Sequence, residues 1–237
     1  MPGSTAPGQA TPDRATPARA APDRDCALCP RLAAFRAAHR AAEPLWFNAP
    51  VPSFGPDDAP LLVVGLAPGL RGANRTGRPF TGDFAGEVLY PTLSRHGLAA
   101  GRFAASSDDG FTLLGCRVTN AVRCVPPANK PIPAEITTCR RFLLDELAGA
   151  APPRLILALG RIAHETVLRA VGAKPARHPF AHGGWHRLPT GQTLLSSFHT
   201  SRYNVNTGKL TPAMFEAVVA AAVRLLAEPP AAVTPAG

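Results

Sequence analysis

The sequence predicts an α/β fold with three layers, in which helices cover both faces of a central, mostly parallel four-stranded sheet. Short continuous apolar runs, which are typical of buried parallel strands, alternate along the chain with segments of helical periodicity. The resulting order, a strand and then a helix, repeated four times, is the pattern of a parallel sheet with crossover helices. A chain of 237 residues fits one domain of this kind.

The first two strand–helix pairs come early in the chain, and a glycine-rich stretch separates the first strand from its helix. The apolar run at 61–66, LLVVGL, is the first strand, and Asp83 can cap a helix that ends just before Gly97. A weaker second strand covers 117–122. Pro133 then opens a helix whose apolar residues recur at helical spacing.

The last two pairs have clearer patterns. The run LILALG at 155–160 is the clearest strand, and the helix after it covers 161–171. The run TLLSSF at 193–198 is the last strand, and a Thr-Pro start predicts the final helix at 211–227.

Both chain ends are expected to lie outside the domain, which covers 26–228. Residues 1–25 contain almost nothing large and apolar, so we expect a disordered tail, and 229–237 is a second short tail. There is no apolar signal-peptide core in 1–25 and no run of the roughly 20 apolar residues that span a bilayer. We therefore expect a cytoplasmic protein.

The formal net charge is +9, and most of the excess is arginine. An arginine-rich composition can arise from GC-rich coding alone. It can also indicate a polyanionic partner, because clustered cations gain affinity by releasing the counterions of nucleic acid. Charge does not separate the two explanations.

Three polar loops follow predicted strands, at 65–83, 119–130 and 199–211. Ligands of parallel sheets bind at the carboxyl ends of the strands, so these loops predict the site. The first, GLAPGLRGANRTGRPFTGD, lacks the Gly-Lys-Ser/Thr of a phosphate-binding loop and the G-x-G-x-x-G of a dinucleotide fold. Its glycines and prolines instead predict a rigid backbone that lines a pocket.

Side chains in these loops suit a planar base and its sugar. Phe80 can stack on a base, Asp83 can activate water or stabilise a developing cation, and the Asn120 amide can read a base edge. His199 follows the last strand, and the polar residues after it suit DNA backbone contacts; these are Ser201, Arg202, Asn204 and Lys209. Singly, Phe80 is as well explained as a core residue and Asp83 as a helix cap. The convergence of three loops favours a site.

The cysteines predict a metal centre. Cys26 and Cys29 form a Cys-x2-Cys pair, and Cys124 and Cys139 follow later in the chain. Disulfides are rare in the cytosol, whereas four thiolates suit a tetrahedral zinc ion or an iron–sulfur cluster. The pattern does not choose between these metals. Cys116 has apolar neighbours and is predicted to be a buried small residue.

From Cys26 to about Leu225 the chain resembles the uracil-DNA glycosylase superfamily, specifically family 5, the iron–sulfur-containing type B enzymes. The motifs that carry this resemblance are GLAPG with GANRTGRPFTGD, TNAVRCVPPANKP, and SFHTSRYNVNTGKLT. Related families have a polar residue in the first motif, where this chain has Leu66 and Ala67. The third motif is usually His-Pro-Ser, and Thr200 in place of proline puts the rigidity of the loop in doubt.

The resemblance implies a monofunctional DNA glycosylase that acts as a monomer in a bacterial or archaeal nucleoid. It would flip uracil or another deaminated base, such as hypoxanthine, out of DNA and hydrolyse the glycosidic bond. Asp83, Asn120 and His199 would be catalytic. The base pocket would be formed by Gly65, Ala67, Gly69, Phe80, Asn120 and His199, and a structural [4Fe–4S] cluster would be bound by Cys26, Cys29, Cys124 and Cys139.

Two other classes of protein fit parts of the pattern. One is a non-catalytic nucleic-acid-binding module with the same fold and a structural cluster. The other is a zinc-binding protein with a phosphate site. The joint presence of Asp83, Asn120 and His199 favours the enzyme over both.

Overall fold

The computed structural model describes residues 21–228, which form an α/β domain with three layers. The strands are β1 Leu61–Gly65, β2 Ala99–Ala100, β3 Thr112–Leu113, β4 Cys116–Asn120, β5 Leu155–Leu159, β6 Trp185–Arg187 and β7 Thr193–Ser197. The helices are α1 Pro30–Ala42, α2 Ala73–Thr76, α3 Phe84–Arg95, α4 Pro133–Ala148, α5 Arg161–Ala170, α6 Arg202–Asn206 and α7 Pro212–Ala227.

The central sheet has the strand order β4-β1-β5-β7-β6. The four predicted strands are present and parallel, but the predicted count of four is wrong, because β6 pairs with β7 in the antiparallel direction at the edge. This strand has only three residues, Trp-His-Arg, and none of them is fully buried. It therefore lacks the apolar run by which the other strands are predicted.

Alternate strand residues pack on opposite faces of the sheet. Leu61 and Val63 of β1 face the core formed with α3 and α7, whereas Leu62 and Val64 face the core formed with α4 and α5. This alternation follows from the two-residue period of a strand. Burial on both faces explains why the strands are continuously apolar.

Helix α1 packs against the cysteine-containing segments, with Leu32 in a cluster that includes Val122, Cys124 and Cys139. This helix was not predicted from the sequence, although Pro30 at its first turn is a helix-start signal.

The predicted tails at 1–25 and 229–237 lie mostly outside the described residues. Residues 21–25 are described, and Asp25 pairs with Arg40 of α1 while the Arg24 guanidinium lies 5.8 Å from the centre of the Phe47 ring. Within residues 21–228, no helix combines the length and the apolar character needed to cross a membrane.

Candidate functional site

The three predicted loops meet at the carboxyl edge of the parallel strands, around a cavity of about 380 Å³. Gly65 at the end of β1 is paired with Asn120 at the end of β4, and His199 follows β7. A volume of this size is typical of small-ligand pockets. The cavity is lined by Leu66, Ala67, Pro68, Gly69, Phe80, Asp83, Phe84, Ala85, Asn120, Asn129, His199, Ser201 and Arg202.

Gly65 lets two pocket side chains approach the backbone. A Cβ atom at this position would lie 2.4 Å from Asn120 Oδ1 and 2.5 Å from Phe80 Cζ. Both distances are shorter than any ordinary contact, so the Phe80 ring and the Asn120 amide fill the space of the missing side chain. Gly65 is therefore in direct contact with Phe80 and Asn120, which line the cavity, but Gly65 itself does not line it.

Phe80 is held in an uncommon backbone conformation, with φ 54°. Its neighbour Arg78 fixes the turn, because the guanidinium donates to both carboxylate oxygens of Asp109 at 2.8 Å and to Thr81 Oγ1 at 2.8 Å. Tyr90 adds a hydrogen bond from its hydroxyl to the Pro79 carbonyl. Strained residues of this kind persist only where the surroundings determine them, which is the case here.

Asp83 caps α3 and also lines the cavity. One of its carboxylate oxygens accepts a hydrogen bond from the Gly86 amide at 3.2 Å, as the sequence predicted for a cap. The other approaches the first loop closely, since a Cβ on Gly72 would lie 2.5 Å from Asp83 Oδ2. Burial raises the pKa of this carboxyl group, and the amides of Gly86 and Ala85 only partly oppose the rise. The Asp83 side chain therefore both caps α3 and lines the cavity.

His199 lies at the end of β7, with its ring stacked on that of Phe80 at a centroid distance of 6.1 Å and an interplanar angle of 28°. Burial lowers the pKa of His199 to about 4. The imidazole is therefore neutral at neutral pH and can donate one hydrogen bond from its N–H.

The loop after His199 is fixed without the proline that the third motif usually has. Thr200 is fully buried, and its hydroxyl donates to the Ala85 carbonyl at 3.3 Å. Asn204 Nδ2 donates to the His199 carbonyl at 2.8 Å, and Ser201 Oγ accepts from the Asn204 amide at 3.4 Å. These bonds tie the loop to α3 and close it on itself, so they supply the rigidity that the missing proline would give.

The predicted DNA-contacting residues divide into two groups. Ser201 and Asn204 use their side chains within the loop, whereas Arg202 and Lys209 extend over aromatic rings. The Arg202 guanidinium lies 5.3 Å from the centre of the Phe84 ring, and Lys209 Nζ lies 5.0 Å from that of Phe198. The two cations are the members of this set that are free to meet phosphate.

The four cysteines predicted as metal ligands line one cavity at the start of α1, walled also by Leu32 and Phe142. Among the described residues, no three His, Cys, Asp or Glu side chains are arranged so that they could hold a single metal ion. Cys116 lies apart from the four, buried in β4, as the sequence predicted.

Two of the four sulfur atoms in this cavity accept hydrogen bonds. The buried Arg36 donates from Nη1 to Cys124 Sγ at 3.4 Å, and the Arg123 amide donates to Cys139 Sγ at 3.3 Å. Burial raises the pKa of Cys124 to about 12 and that of Cys139 to about 11, so the free thiols hold their protons at neutral pH. Binding a metal centre there would release protons.

Two pocket features were missed in the sequence. Asn129 lines the cavity from the second loop with φ 55°, and Arg78 supports Phe80 from a site that is only 4% exposed. Asn129 lies in the motif VPPANKP and tolerates a left-handed backbone, which was an available signal. The burial of Arg78 depends on Asp109, 31 residues later, and no local pattern indicates it.

Comparison with known proteins gives one consistent result. Residues 52–223 match the family model described as the uracil DNA glycosylase superfamily. A protein of Thermus thermophilus named Type-5 uracil-DNA glycosylase is 48% identical over 206 residues, which cover 84% of this chain and 93% of that protein. A Mycobacterium leprae protein with the same name is 42% identical over 209 residues, covering 84% and 91% of the two chains.

A relative of another type matches less of the chain. The Type-4 uracil-DNA glycosylase of Pyrobaculum aerophilum is 34% identical over 125 residues, which cover 52% of this chain and 56% of that protein. The family model covers well over half of the 237 residues, and the type-5 relatives cover more. The chain belongs to the uracil DNA glycosylase superfamily.

Proposed function

We propose that this protein is a DNA repair glycosylase that flips uracil out of DNA and hydrolyses its N-glycosidic bond, leaving an abasic site. The observation that carries the proposal is the meeting of Asp83, Asn120 and His199 around one cavity that the Phe80 ring also lines. The type-5 relatives carry the name of this activity. A base inside a duplex is out of reach, so flipping must precede the chemistry.

Base recognition falls to Phe80 and Asn120. The phenyl ring offers a face for stacking, and the amide offers one donor group and one acceptor to the edge of the base. Both side chains are almost fully buried and pressed against Gly65, so they are positioned before the base arrives. Preorganisation of this kind reduces the cost of binding.

Asp83 acts on the sugar side of the reaction. As the bond between C1′ and the base nitrogen breaks, the sugar gains positive charge, which the carboxylate stabilises while it orients a water molecule and accepts its proton. Among the described residues that line the cavity, Asp83 is the one carboxylate, and Leu66 and Ala67 carry no group for acid–base work. Its raised pKa makes it a stronger base than an exposed aspartate.

His199 acts on the base side. The electron pair of the broken bond passes to the base, whose oxygen becomes negative and accepts a hydrogen bond from the imidazole N–H. A neutral donor that is already in place stabilises this charge without reorganisation. Loss of one donor of this type typically costs about 10²–10³ in rate.

The pocket composition supports two finer proposals. Leu66 and Ala67 in its lining offer the base no polar side chain that would select for uracil, so hypoxanthine and related deaminated bases should also be substrates. No lysine lines the cavity among the described residues, so there is no amine for a Schiff base and the enzyme should be monofunctional.

One oligonucleotide panel tests these proposals. Labelled strands that carry uracil, hypoxanthine or xanthine are offered single-stranded and in duplexes, and the products are analysed with and without alkali. We expect strand breaks only after alkali, with uracil and hypoxanthine excised. Breaks without alkali would overturn the monofunctional assignment, and binding without excision of any base would favour the non-catalytic module.

We also propose that the cysteine cavity holds a [4Fe–4S] cluster. In such a cluster each cysteine binds a different iron atom, so the sulfurs need not converge as they must on one zinc ion at about 2.3 Å. Cys26, Cys29, Cys124 and Cys139 line one cavity, and no three of them form a site for a single ion among the described residues, which supports the cluster over zinc. When bound, the cluster would supply a structural link between α1 and the second loop.

The hydrogen bonds from Arg36 and from the Arg123 amide would compensate the negative thiolates of that cluster. Iron and acid-labile sulfide analysis of protein purified without oxygen tests the assignment. We expect about four of each per chain, and loss of both in Cys139→Ser but not in Cys116→Ala. Stoichiometric zinc in place of iron would overturn it.

A further inference from the structure

An exposed apolar tip is formed by residues 44–46 and is called here the Leu45 ridge. Leu45 is 98% exposed, the highest value among the exposed large apolar residues of the described chain. Trp46 next to it is half-buried and lines a cavity on each side of the ridge. Nothing in the reaction described above uses this segment.

The ridge is rigid. Its Trp46 amide donates to the Glu43 carbonyl at 3.0 Å, and the Phe47 amide that follows donates to the Arg75 carbonyl at 3.0 Å. Asn48 then locks the base of the ridge, with φ 45° and an amide that donates to the Glu43 carbonyl at 2.7 Å. Because the tip is already fixed, it would lose little conformational entropy when Leu45 binds a partner, whereas a flexible loop would lose more.

The ridge adjoins the catalytic carboxylate through the first loop. An Arg75 guanidinium nitrogen lies 3.1 Å from the position a Cβ on Gly82 would occupy, immediately before Asp83 in the chain. Gly72, which contacts Asp83, lies between Arg71 and the helix α2 that carries Arg75. The ridge therefore lies against the part of the first loop that contacts Asp83.

The surroundings of the ridge are positively charged. Arg71 and Arg75 are exposed and share a cavity of about 360 Å³ with Trp46. Neither guanidinium pairs with a carboxylate within the part of the chain that the structure describes. One protruding leucine flanked by unpaired arginines is the pattern of an apolar wedge that enters a DNA groove between phosphate contacts.

We propose that the Leu45 ridge binds double-helical DNA beside the flipped nucleotide, with Leu45 inserted against the base pairs and Arg71 and Arg75 on the phosphates. The proposal rests on the proposed function, because the cavity places the target nucleotide next to the ridge. The wedge stabilises the unstacked duplex in which the base is flipped. It has no such role on a single strand, where there is no stack to open.

The test compares single-turnover excision of uracil from a duplex and from the same strand alone. Leu45→Gln should lower the duplex rate about tenfold and leave the single-strand rate within about twofold, because only the duplex must be unstacked. The matched control is Leu114→Gln, another exposed leucine (49%), which directly follows β3 near the amino end of β4, away from the carboxyl ends of the strands that form the cavity. A duplex-to-strand ratio in Leu45→Gln equal to that of the control would overturn the proposal.

A binding measurement separates failure of the ridge from failure of the proposed function. The chain has two tryptophans, so Trp185→Phe leaves Trp46 as the fluorescent reporter. We expect duplex DNA to quench Trp46, and to quench it less when Leu45→Gln is added. Quenching without excision would refute the enzyme and keep the ridge, whereas excision without any change in Trp46 fluorescence would refute the ridge. If a protein covers this face instead, duplex DNA will leave the fluorescence unchanged.

Discussion

Replacing Gly65 by alanine should disable the pocket while leaving most of the fold intact. The new Cβ would lie 2.4 Å from Asn120 Oδ1 and 2.5 Å from Phe80 Cζ, whereas ordinary contact begins at 3.4 Å. Each neighbour must therefore move by about 1 Å, the difference between 3.4 and 2.4 Å. A misplacement of about 1 Å in a catalytic site can cost roughly 10²-fold in rate.

The assay is single-turnover excision of uracil from a labelled duplex, with duplex affinity measured in parallel. We expect Gly65→Ala to lose about two orders of magnitude in rate, with an overpacking cost of about 1–3 kcal/mol in the free energy of unfolding. Gly97→Ala is the matched control, since its Cβ meets nothing within 4 Å and its φ of 71° strains alanine by about 1–2 kcal/mol. The control should thus lose similar stability and keep its rate.

A Gly65→Ala rate within about threefold of the control rate would refute the role given to Gly65. In that case the contact of Gly65 with Phe80 and Asn120 would not position the base. A crystal structure of the variant should in either case show Phe80 and Asn120, or the β1 backbone, displaced by about 1 Å.

Three further predictions concern stability. The pKa of His199 is lowered from 6.5 to about 4, so as the pH falls the unfolded state takes up the proton first. The free energy of unfolding should therefore decrease as the pH falls from 6.5 toward 4. Urea titrations of His199→Gln should show a smaller decrease over that range. Thr200→Val removes the hydrogen bond to Ala85 and should cost about 1 kcal/mol, or about 2–4 °C in Tm by calorimetry; an unchanged Tm would show that the bond does not hold the loop. Arg123 Nη2 and Glu146 Oε1 form a buried ion pair at 3.0 Å. Glu146→Leu removes the carboxylate and should lower the free energy of unfolding by about 3–5 kcal/mol in denaturant titrations. A loss below about 1 kcal/mol would show that the pair contributes no more than an exposed one.

Local sequence signals predicted the parallel part of the fold well. Apolar runs gave the four parallel strands to within one or two residues, and Asp83 and Thr211 cap their helices through side-chain hydrogen bonds as expected. These signals are strong because continuous burial and capping each require particular residue types.

The elements that were missed depend on contacts between distant parts of the chain. The three-residue strand β6 exists because β7 offers it an edge, and the bend at Phe80 exists because Arg78 reaches Asp109. The exposure of Leu45 is likewise invisible in a sequence, where a leucine predicts burial. The side chains that line the candidate site were predicted from the sequence, whereas the distant contacts that hold them in place were not.

The most direct test of the proposed reaction is the rate of uracil excision by Asp83→Asn under single-turnover conditions. Asparagine keeps the size and the helix-capping acceptor but has neither the negative charge nor the basicity of the carboxylate. We predict a loss of at least about 10²-fold with duplex affinity unchanged. Asp83→Asn excising uracil at the wild-type rate would contradict the assignment of water activation and cation stabilisation to this carboxylate.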